Sequence, residues 1–324
     1  MNAMPSQNTA NMDRRHWSRR ISQLDPARDY HEIYRILAAH EFPWDINQSL
    51  SFALYRTYAV PSIGRLLFET GEFTQRTQKR YDDTTLILDA VLEHGLASPV
   101  GRAAVQRMNQ MHGAYDISND DKLYVLCAFV VMPIRWLDNY GWRRLTEAER
   151  VASANYYVEL GRQMGIKDIP RTHQEFGAFL DQFEHERFGF DEGALAVSEA
   201  TLRLMATFPP SRFAPRAAVN WFAKALMDDP LLDAFHYRRP SRWERGLAGG
   251  ALRLRASVLR GRDSFYSAAA ASCLVSLIVL AFIHVSLFGA TLPVLAVIIL
   301  GLGIAQSQGR GAAARRDSPA FAPA

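Results

Sequence analysis

One segment near the C-terminus constrains the fold more than any other part of the chain. Residues 267–305 contain no Asp, Glu, Lys or Arg, and His284 is their only histidine. A helix needs about 20 apolar residues to cross the hydrocarbon core of a bilayer. Residues 267–288 are long enough to cross, residues 289–293 predict a turn, and residues 294–305 form a shorter second run. We predict a transmembrane helical hairpin here; the alternative is a buried hairpin in the core of a soluble protein.

Basic residues are concentrated on both sides of this segment. Between positions 238 and 262 there are eight arginines against Glu244 alone, a local charge of +7, and the tail from 306 onward adds +2. With Asp263 and a whole-chain charge of +4, residues 1–237 carry about −4. A mildly acidic main domain argues against nucleic-acid binding. Basic flanks on both ends predict that the domain and both hairpin ends lie on the cytoplasmic side of an inner or cytoplasmic membrane.

The cysteines and the N-terminus indicate a reducing compartment. The chain has two cysteines, Cys127 and Cys273, which lie far apart in apolar runs, so a disulfide framework is not expected. The first thirty residues contain several arginines but no apolar run after them, which does not fit a secretory signal. We predict a disordered basic segment over residues 1–23 and a disordered tail over 306–324.

Residues 24–237 have helical rather than strand periodicity, which predicts an all-α domain. A basic juxtamembrane segment, residues 238–266, connects it to the hairpin. Asp45 and Asn119 are predicted N-caps, Ser98-Pro99 is a predicted helix start, and Gly95 is a predicted helix end. Further helices are predicted over 146–165, 172–188 and 193–207. The run 123–134 is apolar on every side, so we expect it to be buried, with Pro133 bending its end.

Several common catalytic motifs are missing from the sequence. No histidine has a glutamate three positions before it, as the paired Glu-x-x-His motifs of di-iron bundles require. No two histidines are four residues apart, and CxxC, GxGxxG and the phosphate loop are all lacking. The usual metal-hydrolase and dinucleotide-binding interpretations are therefore excluded.

Two predicted helices place polar side chains on faces that should be dry. On the helix from Ser98, His112 continues an apolar stripe of small and aliphatic residues, since positions three and four apart share a face. The simpler interpretation of His112 is a core histidine bonded to a neighbour. The alternative is a histidine that binds a ligand. On the preceding helix Arg80 heads an apolar stripe and needs an anion. Its partner is either a carboxylate, such as Asp116 or Asp120, or a bound propionate or substrate group.

Strings in order along residues 24–237 resemble the MpaB-type oxygenases, the relatives of latex-clearing rubber oxygenases. They are LDPARDY, EFPWD, RTYAVPSIGRLL, TGEF, RYDDT, GRAAVQRMNQMH, NDDKLYVL, PIRWLDNYGWR and MGIKDIP.

The resemblance implies a globin-related all-α core that binds one haem b. It also implies oxidative cleavage of a carbon–carbon double bond in isoprenoid chains. By position, His112 matches the axial iron ligand, and Arg80 and Thr84 match a polar pair near the haem. Rubber oxygenases have a distal lysine where this chain has Asp83, which is expected to act as a base or to face solvent. A further catalytic glutamate of those enzymes has no secure counterpart, although Glu69 and Glu72 lie nearby.

The sequence therefore predicts a membrane-anchored, haem b-dependent oxygenase that uses O₂ on a hydrophobic, isoprenoid-like alkene. The expected partners are this substrate, O₂ and membrane lipid. Two alternatives remain: a haem-binding membrane sensor or electron carrier without turnover, and a haem-free membrane scaffold.

Overall fold

Every regular element in the described part of the chain is a helix, as the sequence predicts. The structure, a computed structural model, describes residues 16–208 and 211–260. The predicted hairpin at 267–305, with Cys273 and His284, lies outside the described residues, as does the tail. Within the two described ranges, no helix is both long and apolar enough to cross a membrane. The α-helices are α1 (His16–Ile21), α2 (Tyr30–Ile36), α3 (Pro43–Thr57), α4 (Pro61–Glu69), α5 (Glu72–Gln75), α6 (Thr77–His94), α7 (Pro99–Gly113), α8 (Asn119–Tyr140), α9 (Glu147–Gln163), α10 (His173–Arg187), α11 (Glu192–Met205), α12 (Arg216–Ala225), α13 (Asp229–Ala234) and α14 (Arg242–Arg260).

The helix starts follow local side-chain chemistry, with two corrections. The predicted start at Ser98 is confirmed, because its Oγ accepts a hydrogen bond from the Gly101 N–H at 2.9 Å. The predicted cap Asn119 is wrong: Ser118 caps α8, and the Asn119 side chain accepts from the Lys167 N–H at 2.8 Å instead. The predicted cap Asp45 is also wrong. It lies inside the first turn of α3 and is 2% exposed, because it pairs with a buried arginine.

Helix α8 lies at the centre of the main hydrophobic core. It packs against α3, α9 and α10, and its residues between 123 and 134 are largely buried, as predicted. Pro133 lies inside this helix, which continues to Tyr140. Cys127 is a free, fully buried thiol whose pKa is raised by burial. A second, smaller core joins the end of α3 to α11, α12 and α13.

A buried arginine joins the two cores. Arg56, near the end of α3, donates from Nε and Nη2 to the Glu184 carboxylate of α10, the latter at 2.6 Å. Its Nη2 also lies 2.7 Å from Asp228, and Tyr124 of α8 donates to Glu184 at 3.0 Å. Burial opposes the charge of Arg56, but the hydrogen bonds and charges of the two carboxylates outweigh burial and raise its pKa.

Helix α14 packs onto the domain through a second buried ion pair. Arg255 Nη1 donates to Asp45 Oδ1 at 3.0 Å, and Trp136 Nε1 donates to the same oxygen at 3.1 Å. The Arg255 guanidinium also lies 3.9 Å from the centre of the Trp44 ring. At the start of the helix, Glu244 accepts hydrogen bonds from Trp221 and Arg238. The basic segment after position 237 thus contains a folded helix.

The end of the N-terminal segment is helical, although the sequence predicts that it is disordered. Residues 16–21 form α1, although residues 1–23 are predicted to be disordered. Ile21 is buried in the main core, and Trp17 stacks on His40 with ring centres 4.0 Å apart. These apolar contacts explain why the end of this polar, basic segment folds onto the domain.

Gly64 sets the approach of α4 to α11 and provides a stability test. A Cβ at this position would overlap the Ala194 Cβ and the Tyr58 carbonyl oxygen. Gly64→Ala is therefore expected to lower the free energy of unfolding by about 1–3 kcal/mol, the usual cost of overpacking. The measurement is the midpoint of urea unfolding of the detergent-purified chain, with unfolding monitored by circular dichroism. Gly250→Ala in α14, where a Cβ would meet no atom within 4 Å, is the control and should stabilise slightly or not at all.

Candidate functional site

The site is built on the hairpin of α6 and α7. Gly95 ends α6 with a φ of 82°, in the left-handed region that favours glycine. A Cβ at Gly101 would overlap the Gly95 carbonyl oxygen, so glycine at 101 lets the first turn of α7 approach this loop closely. The two helices consequently pack side by side. The beginning of α6, with Arg80, is thereby brought near the end of α7, with His112.

His112 lies half-buried on the last turn of α7. Burial lowers the pKa of its imidazole, and the charges of Arg80 and Lys122 lower it further. The ring is therefore neutral at pH 7 and keeps a lone pair. Within residues 16–208 and 211–260 neither ring nitrogen has a hydrogen-bond partner, which does not support the simpler interpretation of a core histidine bonded to a neighbour.

Arg80 and Thr84 lie one turn apart on α6 and contact each other. Arg80 Nη1 donates to Thr84 Oγ1, and that hydroxyl donates to the Arg80 carbonyl oxygen at 3.0 Å. The guanidinium lies 5.1 Å from the centre of the Phe73 ring. Among the described residues no carboxylate forms an ion pair with Arg80, so neither Asp116 nor Asp120 is its partner. A half-buried cation that forms no ion pair among the described residues is a candidate site for an anion.

Asp83 does not have the role of the distal lysine that rubber oxygenases carry at this position. Its Oδ2 accepts a hydrogen bond from Lys79 Nζ at 2.6 Å, and its side chain is 42% exposed. This hydrogen bond, reinforced by the charges of Lys79, Arg80 and Arg107, lowers the pKa of the carboxyl group, so Asp83 is ionised at neutral pH. The sequence leaves open whether Asp83 acts as a base or faces solvent, and this geometry favours a solvent-facing carboxylate. Glu69 is exposed, and Glu72 pairs with Arg76.

A small cavity lies beside Arg80 and Thr84, on the side of α6 that faces α3 and α11. It measures about 20 Å³, enough for about one water molecule. Tyr58, Phe73 and Thr201 are part of its wall. The Tyr58 hydroxyl is fully buried; burial raises its pKa, while its hydrogen bond with Thr201 and the nearby Arg80 charge oppose the rise. Sequence reasoning missed Tyr58 and Thr201 as neighbours of Arg80, since only the packing of three helices brings them together.

The donor set formed by His112 on α7 and Arg80 on α6 suits a haem better than a free metal ion. In the part of the chain that the structure describes, no group of three or more His, Cys, Asp or Glu could hold a metal ion. A haem needs no such group, because its porphyrin supplies four nitrogen donors and the protein adds an axial ligand. The His112 imidazole, whose nitrogens form no hydrogen bond with a described residue, fits that ligand chemically. The Arg80 guanidinium, which forms no ion pair with a described carboxylate, fits a propionate.

Comparisons with known proteins agree with this architecture. Residues 48–258 match the family described as "ER-bound oxygenase mpaB/B'/Rubber oxygenase, catalytic domain". The chain is 29% identical over 247 residues to the ER-bound oxygenase mpaB' of Penicillium brevicompactum, covering 70% of this chain and 58% of that protein. It is 35% identical over 140 residues to mpaB of the same organism, covering 41% of this chain and 36% of that protein. It is 33% identical over 141 residues to mpaB of Penicillium roqueforti (strain FM164), covering 42% of this chain and 47% of that protein.

The described residues form an all-α domain in which the half-buried His112 imidazole lies at the end of α7, where burial and the charge of Arg80 on α6 lower its pKa. The chain belongs to the mpaB/rubber oxygenase catalytic-domain family, a family of oxidoreductases. It spans about half the length of the curated relatives that it matches.

Proposed function

We propose that this protein is a membrane-attached, haem b-dependent oxygenase that oxidises a hydrophobic, isoprenoid-like alkene. The observation that carries the proposal is the pairing of His112 with Arg80. Among the described residues the His112 ring forms no hydrogen bond and Arg80 forms no ion pair, and burial and the charge of Arg80 lower the pKa of His112, in an oxygenase-family catalytic domain.

In this proposal His112 would bind the haem iron. Its lowered pKa keeps the lone pair available at neutral pH, so no proton has to leave before the nitrogen binds iron. When bound, the haem would supply the activation of O₂, while the protein binds and orients the reactants.

Arg80 and Thr84 are proposed as the polar pair beside the haem. The guanidinium would hold a propionate or another anionic group, and Thr84 would fix the arginine side chain by accepting a hydrogen bond from its Nη1. Asp83 has no part in the proposed chemistry, because its carboxylate is engaged by Lys79 at the surface. The apolar faces of α6 and α7 would exclude water from this region.

Membrane attachment is proposed through the uncharged residues 267–305. The relatives are named ER-bound, which supports an association with membranes. Attachment also suits the substrate, since each CH₂ group contributes about 0.8 kcal/mol to its partitioning out of water. The proposed domains are the oxygenase domain, the basic segment that follows it and the hairpin.

The test uses the detergent-purified full chain, expressed with ample haem supply. The expected result is a Soret band that shifts on reduction and on addition of carbon monoxide, followed by O₂ consumption that depends on an added polyprenyl alkene. Product analysis should find carbonyl compounds, because cleavage of one C=C bond by one O₂ gives two carbonyl groups. A preparation without a Soret band would overturn the proposal. A Soret band without alkene-dependent O₂ consumption would leave a sensor or electron carrier.

A further inference from the structure

Helix α14 has one face packed against the domain and one face turned outward. Its buried positions include Glu244, Ala248, Leu252 and Arg255. With about 3.6 residues per turn these positions share one side of the helix. The exposed positions lie together on the opposite side; they are Arg242, Trp243, Gly246, Gly250, Arg253, Leu254, Ser257 and Arg260.

The outward face is divided along its length into two edges. Arg242, Arg253 and Arg260 are 11 and 7 residues apart, which places them in one row. The exposed Arg260 side chain also donates from Nε to the Trp142 carbonyl oxygen at 2.9 Å. Trp243 and Leu254, 67% and 46% exposed, form a second row. It lies about a quarter of a turn from the arginines. The half-buried Leu247 and Val258 widen this apolar edge. Only glycine and serine lie between the two edges, so nothing bulky separates them.

The place of α14 in the chain brings it close to the uncharged segment. Only six residues separate Arg260 from Ser267. Seven Cα–Cα steps reach at most about 25 Å when fully extended. If residues 267–305 enter a bilayer, the end of α14 must lie within that distance of the point of entry.

We propose that the outward face of α14 lies in the headgroup region of an anionic phospholipid bilayer. The arginine edge would contact lipid phosphates, and the Trp243 edge would enter the boundary with the acyl chains. Tryptophan and arginine on adjoining edges of one helix are typical of helices that lie in a membrane interface. This inference rests on the proposed membrane attachment and adds a second contact, which would fix how the domain is oriented.

A second copy of this chain is a weaker candidate for the same face. A stable interface buries about 800 Å² on each partner. The exposed apolar part of α14 consists of one tryptophan and one leucine with glycines beside them, and three arginines border it. Two such faces would bring like charges together. An anionic bilayer matches both the charge and the narrow apolar edge.

Tryptophan fluorescence provides a clean test of the apolar edge. The chain has six tryptophans, and none lies in residues 267–305. The other five are buried or half-buried, and Trp243 is exposed. The full chain is reconstituted into phosphatidylcholine vesicles with and without phosphatidylglycerol, in which part of the lipid carries bromine on its acyl chains. Bromolipid quenching in the anionic vesicles is expected in the wild type and lost in Trp243→Phe. Trp17→Phe, at a half-buried site on α1, is the matched control and should retain the quenching.

The basic edge is tested in the same vesicles. The triple variant Arg242→Gln/Arg253→Gln/Arg260→Gln should lose the extra quenching that phosphatidylglycerol produces. A control triple variant at exposed arginines elsewhere, Arg28→Gln/Arg144→Gln/Arg171→Gln, should keep it. Equal losses in the two triple variants would mean that total charge, and not this face, governs the contact, which would overturn the proposal.

Two results separate this inference from the membrane attachment on which it rests. Flotation of the wild type with vesicles reports attachment, and Trp243→Phe should float equally well. A wild type that floats but whose quenching does not depend on Trp243 overturns the role of α14 alone. A wild type that does not float overturns the attachment as well. Quenching that disappears when the protein is diluted in the bilayer would point to a second copy as the occupant and would also overturn the proposal.

Discussion

Replacement of His112 by alanine is expected to abolish the Soret band of the purified protein while leaving its helical content unchanged. His112 is the imidazole that we assign to the iron, and it makes no hydrogen bond to the described part of the domain, so its removal breaks no contact of this kind. Loss of an outer partner of a metal ligand already costs about 10–100-fold in affinity. Loss of the ligand itself should cost at least as much. The measurement is the ratio of Soret to protein absorbance after haem titration.

A histidine at the opposite end of the α6–α7 hairpin provides the control for this experiment. His94 is exposed at the end of α6, the partner helix of α7, and His94→Ala should bind haem as the wild type does. Added imidazole should restore part of the Soret band in His112→Ala, because a free ligand can occupy the vacated position. A band of full intensity and unchanged wavelength in His112→Ala would refute the assignment.

The second large effect is expected at Arg56. The side chains of Arg56 and Glu184 are both only 7% exposed, and Asp228 shares the same guanidinium. Arg56→Met leaves the buried Glu184 carboxylate without a cation. Breaking a buried pair in this way costs about 3–5 kcal/mol. The free energy of unfolding, measured by urea denaturation in detergent, should fall by that amount.

Two further variants show whether the uncompensated charge is the cause. Glu184→Gln in the Arg56→Met background should recover part of the loss, since the amide is neutral and still accepts the Tyr124 hydroxyl. Arg135→Met removes a comparable pair with Asp181 in which both side chains are exposed, 41% and 59%. It should cost at most about 1 kcal/mol. An Arg56→Met loss no larger than that of Arg135→Met would contradict the prediction.

Local signals in the sequence predict most of the helices. The start at Ser98 and the end at Gly95 depend on residues a few positions away, and both are found where the sequence places them. Asp45 has the composition of a cap, but its partner Arg255 is 210 residues distant, and no local rule identifies such a pair. The N-terminal helix α1 likewise forms because of distant apolar contacts.

The candidate site likewise contains some residues that local sequence patterns identify and others that only the packing of distant segments brings together. His112 and Arg80 stand out because His112 continues an apolar stripe on its helix and Arg80 heads one, and that pattern is local. The neighbours of Arg80 are a different matter. Tyr58 and Thr201 lie on segments separated by more than a hundred residues, and only the packing of α6 against α3 and α11 brings them to one wall. The pairing of Asp83 with Lys79 is local, yet the sequence alone left open whether that carboxylate faces solvent.

The ion pair between Arg255 and Asp45 has a consequence for how such a domain meets its substrate. A chain that left the domain through a loose linker would allow it to tumble, and each encounter with a lipid-soluble molecule would begin from an arbitrary angle. Here α14 is held against α3 by the buried ion pair and by contacts of two tryptophan rings with that pair. Whatever holds the end of α14 therefore also dictates the pose of α6 and α7. Under the proposed membrane attachment, a reactant diffusing in the plane of the bilayer would meet the same surface on every approach.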